Sequence, residues 1–127
     1  MEHGAVIVAG FGMRGAVTVD SLQDAYAQAR RGRAVDLLAA PDDRARLAAF
    51  SAFGEAVARP VRGIDAAHLA AQTTQTQSPT VAERRGTGSV AEAAALAAAG
   101  PGARLIAARV ISTDRMATCA LAEGPDP

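Results

Sequence analysis

The chain has 127 residues, half of them hydrophobic, and thirteen arginines balance thirteen acidic residues with no lysine, so the formal net charge is zero. That length fits one domain of ordinary size. Zero net charge excludes a global field that would draw in nucleic acid or an anionic membrane, so any anion site must be local; the lack of lysine excludes Schiff-base and P-loop lysine chemistry.

Of the hydrophobic residues 33 are alanine, and a core of alanine is thin unless helices approach a sheet closely. The aromatic residues are Phe11, Tyr26, Phe50 and Phe53, with no tryptophan, which argues against stacking on nucleic-acid bases. Cys119 is alone, so there is no internal disulfide framework, and in its apolar run it reads as a small buried hydrophobe. The opening MEHGAVIVAG lacks a basic n-region, and its apolar run is too short to span a bilayer. A cytoplasmic location and no membrane partner are the expectation.

In chain order, Ala5 to Gly10 is a continuous β-branched run that reads as a buried strand. The segment GFGMRG at 10–15 follows as a glycine loop, then a helix capped by Thr18 or Asp20, running to about Arg31 and ended by Gly32. Ala34 to Ala40 reads as a second strand stopped by Pro41. Asp42 or Asp43 caps a helix with Leu47 and Phe50 inside, closed by Gly54. Val57 to Val61 is a short third strand, and Pro60 within it argues for an edge position. Asp65 starts a short alanine helix, and the polar, uncharged loop QTTQTQ follows at 72–77. Ser78-Pro79 opens a brief helix interrupted by Gly86 and Gly88. Ser89 and Glu92 form an S-x-x-E capping box on an alanine helix ended by Gly100-Pro101. Arg104 to Ser112 and Met116 to Ala122 flank Thr113-Asp114-Arg115 as a hairpin, with EGPDP as a frayed tail. This order predicts a three-layer α/β/α single domain, 1–127 with a core over about 5–124, built on a mixed sheet of about five strands. In such sheets ligands sit beyond the carboxyl ends of the strands.

Four features carry candidate chemistry. Gly10, Gly12 and Gly15 make a G-x-G-x-x-G between strand and helix, which reads either as a dinucleotide cradle or as a tight turn needing positive φ. Gly86, Thr87, Gly88 and Ser89 precede a helix N-terminus, where backbone N–H groups and the helix dipole favour an anion. Glu92 has a capping duty there. The 72–78 loop offers hydroxyl and amide groups, Thr76 and Ser78 among them, and reads as a flexible surface loop or as a wrap for a polar ligand. Arg14, Arg84, Arg85, Arg109 and Arg115 lie beside these loops or in the hairpin, and arginine grips carboxylates bidentately. His3 and His68 are the only histidines, and no metal-ligand spacing is present.

GFGMRG, TQSPTVAERRGTGSVAEAAALAAAG at 76–100 and RVISTDRMATCALAEG at 109–124 together resemble the family of CobE and the C-terminal domain of CbiG, proteins of cobalamin (vitamin B12) biosynthesis. The closing segment is more similar to the stand-alone CobE type. The resemblance implies an α/β/α domain that binds or acts on corrin-ring intermediates. CbiG-type proteins are similar to hydrolases that open a lactone on the macrocycle and release acetaldehyde. Met13 stands where the CbiG type commonly has cysteine, which excludes a thiol role here; Ala39, Ala40 and Pro41 occupy a region where Thr and Lys are usual, with Arg44 the nearest cation.

Resemblance and residues together give the expectation of a protein that binds a polycarboxylate corrinoid or precorrin and carries or presents it among other enzymes of the pathway. The expected ligand-binding residues are Gly10, Gly12, Arg14, Gly15, Thr76, Ser78, Gly86, Thr87, Gly88, Ser89 and Arg115, with no cofactor and no metal. The alternative within the same pathway is a hydrolase-like step, for which Ser78 and Glu83 are the catalytic candidates. A dinucleotide-binding module is the third reading.

Overall fold

The computed structural model describes residues 5–77 and 89–125. Strand β1 (Val6–Met13) leads to helix α1 (Val19–Arg30), β2 (Leu37–Pro41), the short α2 (Asp42–Ala45), α3 (Ala48–Val57), β3 (Val61–Ile64) and α4 (Ala66–Ala70). After the undescribed stretch come α5 (Val90–Ala99), β4 (Arg104–Ile111) and β5 (Ala117–Gly124). The five strands form one sheet in the order β3-β2-β1-β5-β4. β1, β2 and β3 are parallel, while β5 pairs antiparallel with both β1 and β4. The mixed sheet and the closing hairpin follow the sequence expectation. The third strand does not lie at Val57 to Val61: Val57 ends α3, Pro60 precedes the strand, and β3 takes the sheet edge from Val61 to Ile64.

Alternation along β1 decides what covers each face. Ala9 and Phe11 belong to the larger core with Leu22, Tyr26 and Ala29 of α1 and Phe50 and Phe53 of α3. Val8 belongs to a second core with Leu69 of α4 and Ala93 and Ala94 of α5. The layers are therefore α1 and α3, the sheet, then α4 and α5. All four aromatic rings meet in the first core, with Phe11 5.4 Å from Phe50 and 5.2 Å from Phe53 between centroids, edge to face. Such contacts add about 0.5–1.5 kcal/mol each beyond area burial.

The first glycine motif is not a loop. β1 runs on to Met13, and Gly10 and Gly12 are ladder residues opposite Ala120 and Thr118. Neither they nor Gly15 has a positive φ. The need for glycine is proximity instead. A Cβ on Gly10 would overlap the Ala91 carbonyl and the Ala95 amide, and one on Gly124 would overlap the Ala99 carbonyl. Ala91, Ala95 and Ala99 recur every fourth residue, so one alanine stripe of α5 lies directly on two glycines of the sheet. This explains the alanine content: side chains are given up on both surfaces so that backbones approach.

Other boundaries move for identifiable reasons. Gly54 lies inside α3, not at its end, because a Cβ there would stand 2.7 Å from Val61 Cγ2; Ala58, with φ of 56°, ends the helix. Glu123 and Gly124 belong to β5 instead of a frayed tail, since Gly124 is trapped under Ala99. Thr18 caps α1 by accepting from the Ser21 N–H at 3.2 Å, and Asp65 caps α4 by accepting from His68 N–H at 2.8 Å. The brief helix expected from Ser78 lies outside the described residues.

A candidate anion-binding cleft

Parallel β1 and β2 end together at Met13 and Pro41, and β4 ends at the same side with Ile111. The N-terminus of α5 and the β4–β5 turn reach this side as well. Between them lies a cleft of about 560 Å³. Its position, beyond carboxyl ends of strands, is where open α/β sheets keep their ligands.

Among the described residues, four arginines line this cleft, Arg14, Arg44, Arg109 and Arg115, together with Met13, Val90 and other apolar residues, and none of these lining residues is acidic. Three of the four are positioned by backbone contacts. Arg14 donates through Nε to the Arg115 carbonyl at 3.4 Å, and Arg44 donates through Nε to the Met13 carbonyl at 3.0 Å. Each keeps its terminal nitrogens, the pair that forms a fork on a carboxylate. Asp43 lies 3.9 Å from Arg44 Nη1, a distant and exposed ion pair worth little.

Arg109 is placed by a β-bulge. β4 pairs Ala107 with Leu121 and Val110 with Cys119, so Ala108 and Arg109 face the single residue Ala120. The Arg109 N–H turns to Glu92 and donates to Oε2 at 2.9 Å. Glu92 is fully buried. It also accepts from the Thr76 N–H at 2.8 Å and the Thr76 hydroxyl at 2.6 Å. Burial would raise its pKa, but the donors from Thr76, Arg109 and the Gln75 backbone outweigh it and hold the carboxyl below its ordinary value. The Ser89 hydroxyl accepts from the Glu92 N–H at 3.3 Å, which is one half of the capping box. The other half is not made, because the Glu92 carboxylate serves Thr76 and Arg109.

Arg115 sits at the tip of the β4–β5 turn with a left-handed φ of 62°. The turn is fastened to α1. Asp114 accepts from Ser112 Oγ at 2.6 Å and from Ser21 Oγ, and the Thr113 N–H donates to Asp24 at 2.6 Å. The Ser112 hydroxyl, first among these donors, lowers the Asp114 pKa, and the Thr113 N–H does the same for Asp24.

Of the residues singled out from sequence, the structure brings Gly12, Arg14, Gly15, Arg109 and Arg115 to the cleft. Gly10 lies in the sheet against α5, Thr76 is bonded to Glu92, and Ser89 caps α5. Ser78, Glu83, Gly86, Thr87 and Gly88 lie outside the described residues, and so do the neighbouring Arg84 and Arg85. Sequence reasoning passed over Arg44 as a site residue. Its signal was present, a cation just after the second strand, but only the strand order shows that β2 ends beside β1. Among the described residues no group of three or more His, Cys, Asp and Glu is placed to hold a metal ion. Among them too, no helix is long and apolar enough to cross a membrane. Gly10 and Gly12 lie in the ladder and Gly15 in the turn that follows β1, so the three glycines of the 10–15 segment do not form one loop.

The family model described as cobalamin synthesis G C-terminus matches residues 7–122. The chain belongs to that family. The chain is similar to the crystal structure of CobE, a protein from the cobalamin (vitamin B12) biosynthetic pathway, with a TM-score of 0.84 and 27% identity over 97% of this chain and 94% of that one. The cobalamin biosynthesis protein chiG from Agrobacterium tumefaciens matches with a TM-score of 0.74 and 34% identity, over 95% of this chain and all of that one, 100%. A putative cobalamin biosynthesis protein G homolog from Sulfolobus solfataricus shares the fold, with a TM-score of 0.67 and 18% identity, over 94% of this chain and 37% of that one. No curated protein matches. Family and structures agree that this CbiG C-terminal-type domain is a cobalamin-biosynthesis protein.

Proposed function

We propose that the cleft holds a polycarboxylate corrinoid or precorrin by its acid side chains, and that the protein carries or presents this intermediate to other enzymes of the pathway in the cytoplasm. The observation that carries the reading is the set of four arginines, Arg14, Arg44, Arg109 and Arg115, around an otherwise largely apolar cleft with no carboxylate among its described lining residues. Cobalamin-pathway macrocycles bear several carboxylates on a broad apolar ring. Charge-assisted bonds from guanidinium groups suit the first feature, and Met13, Val90, Ile111 and Met116 suit the second. A site of about 560 Å³ accepts one edge of such a ring with its acid arms, not the whole molecule. Zero net charge is consistent with this, because the cations are concentrated locally.

The hydrolase-like alternative rests on Ser78 and Glu83, outside the described residues. Glu92, the buried carboxylate near the cleft, is held ionised by its donors and suits a fixed structural anion, not a proton carrier. The test is a titration of the protein with hydrogenobyrinic acid, followed by its visible spectrum. A saturable spectral change at micromolar protein supports the proposal. An unchanged spectrum at several hundred micromolar, on the scale of ordinary metabolite affinities, overturns it.

A further inference from the structure

A second concavity lies away from the cleft, between the carboxyl end of α1 and the edge strand β4. Its floor is apolar: Ile106, Ala107 and Val110 are only half-buried against the main core, because α1 covers β5 and leaves part of β4 uncovered. Its rim is basic. Among the described residues, Arg30, Arg31 and Arg33 line it, and no acidic residue does. These arginines come from a sharp turn in which Arg31 and Gly32 both take left-handed φ, 48° and 81°. Arg30 has a local role, since its guanidinium lies 5.3 Å from the Tyr26 ring centroid and donates to the Arg33 carbonyl at 2.8 Å. Complementing the α1 dipole accounts for that residue. It does not account for Arg31 and Arg33, which are exposed beyond the helix end and have no acidic partner among the described residues.

We infer that this groove is a docking surface for an acidic segment of a partner protein, with apolar side chains laid on Ile106 and Val110 and carboxylates paired with Arg31 and Arg33. Charge complementarity selects the occupant: an apolar shelf beside three arginines favours an acidic segment over a basic one. Zero net charge and the absence of exposed aromatic rings disfavour nucleic acid on the same patch. The bulges in β4 break its ladder at Ala107 and again before Val110, so the partner lies on the groove face and does not extend the sheet edge. The inference is independent of what the cleft binds.

The test uses two fluorescently labelled peptides of alternating pattern, Glu-Val-Glu-Val-Glu-Val-Glu and its Lys-for-Glu counterpart, titrated against the full chain by anisotropy. The acidic peptide should bind and the basic one should not, and binding should weaken on the order of tenfold when NaCl is raised well beyond physiological strength. Arg31→Glu combined with Arg33→Glu should abolish acidic-peptide binding and create a preference for the basic peptide. A second variant, Ile106→Ser, should weaken binding without inverting the preference. The thermal unfolding curve of each variant reports its fold. Equal binding of both peptides overturns the inference, and so does retention of acidic-peptide binding by the double variant. Self-association by light scattering that is lost in the double variant also overturns it, because a second copy would then be the occupant.

Discussion

The Arg109 N–H donates to Glu92 Oε2 at 2.9 Å, which ties a wall of the cleft to a carboxylate buried on the neighbouring helix. The same carboxylate takes two bonds from Thr76. Three separate stretches of chain, the 72–77 loop, α5 and the β4 bulge, thus share one anion. A buried charge is costly unless its bonds are complete, and here donors from two sides complete them.

Glu92→Gln keeps the shape and removes the charge. Its single acceptor oxygen can serve the Thr76 hydroxyl and Arg109, but the amide nitrogen then faces the Thr76 N–H, donor against donor. We expect a stability loss on the order of 1.5–3 kcal/mol by denaturant unfolding. Ligand binding should weaken as well, and the effects of Glu92→Gln and Arg109→Ala on affinity should be less than additive, because each acts through the same side chain. Strict additivity would show that Glu92 has no hold on the cleft.

Gly10→Val should be among the most damaging substitutions outside the large hydrophobic residues. The new side chain meets the backbone of α5 at Ala91 and Ala95, which cannot move aside as a side-chain tip would. A loss of 3 kcal/mol or more is expected, at or beyond the upper end of overpacking effects of about 1–3 kcal/mol. The same change at Gly15, where the nearest atom to a new Cβ is Arg44 Nη1 at 4.0 Å, should alter stability little. Chemical denaturation of the two variants compares them directly.

Asp24, Asp114 and Glu92 are all held below their ordinary pKa values. A depressed folded-state pKa contributes stability that is fully present above the unfolded value, near 4, and that fades as pH falls through the folded value. Thermal stability should therefore fall as pH drops below about 4. Asp114→Asn should flatten this acid dependence, and it should loosen the turn that presents Arg115. Proteolysis within 112–116 by a trypsin-like enzyme, faster in the variant than in the wild type, is the measurement for the turn.

Cleft arginines should act as carboxylate grips. Arg14→Ala, Arg44→Ala and Arg115→Ala are each expected to weaken corrin-acid binding about tenfold, since hydrogen bonds to charged groups contribute roughly 1.5–3 kcal/mol. Arg44→Lys should not restore affinity fully, because a point charge lacks the fork. Arg62→Ala, whose side chain reaches the Ala98 carbonyl away from the cleft, is the control and should leave affinity unchanged.

Much of the fold was legible in the sequence. The caps at Thr18, Asp65 and Ser89 and the closing hairpin each have a local signal, and local signals survive folding. The glycine motif misled for a physical reason. G-x-G-x-x-G announces that side chains are unwanted, but not whether the neighbour is a ligand, a turn or another backbone; here it is α5. The alanine stripe at 91, 95 and 99 was the complementary signal, and it gains meaning only once helix and strand are placed together. Arg14 and Arg115 were found because they adjoin visible motifs. Arg44 and the bulge that aims Arg109 were not, because strand order and register are long-range properties. Glu92 looked like half of a capping box, and its real partners are 16 and 17 residues away.

The central claim is that the cleft recognises carboxylates on a corrin. The most direct measurement is a paired calorimetric titration of the wild-type protein with hydrogenobyrinic acid and with the same macrocycle after methyl esterification of its carboxyl groups. The ring and its apolar faces are common to both, and only the charges differ. We predict tight, salt-sensitive binding of the acid and a loss of at least a hundredfold for the ester, two forfeited charge-assisted contacts at about tenfold each. Equal affinity for the two would contradict the account.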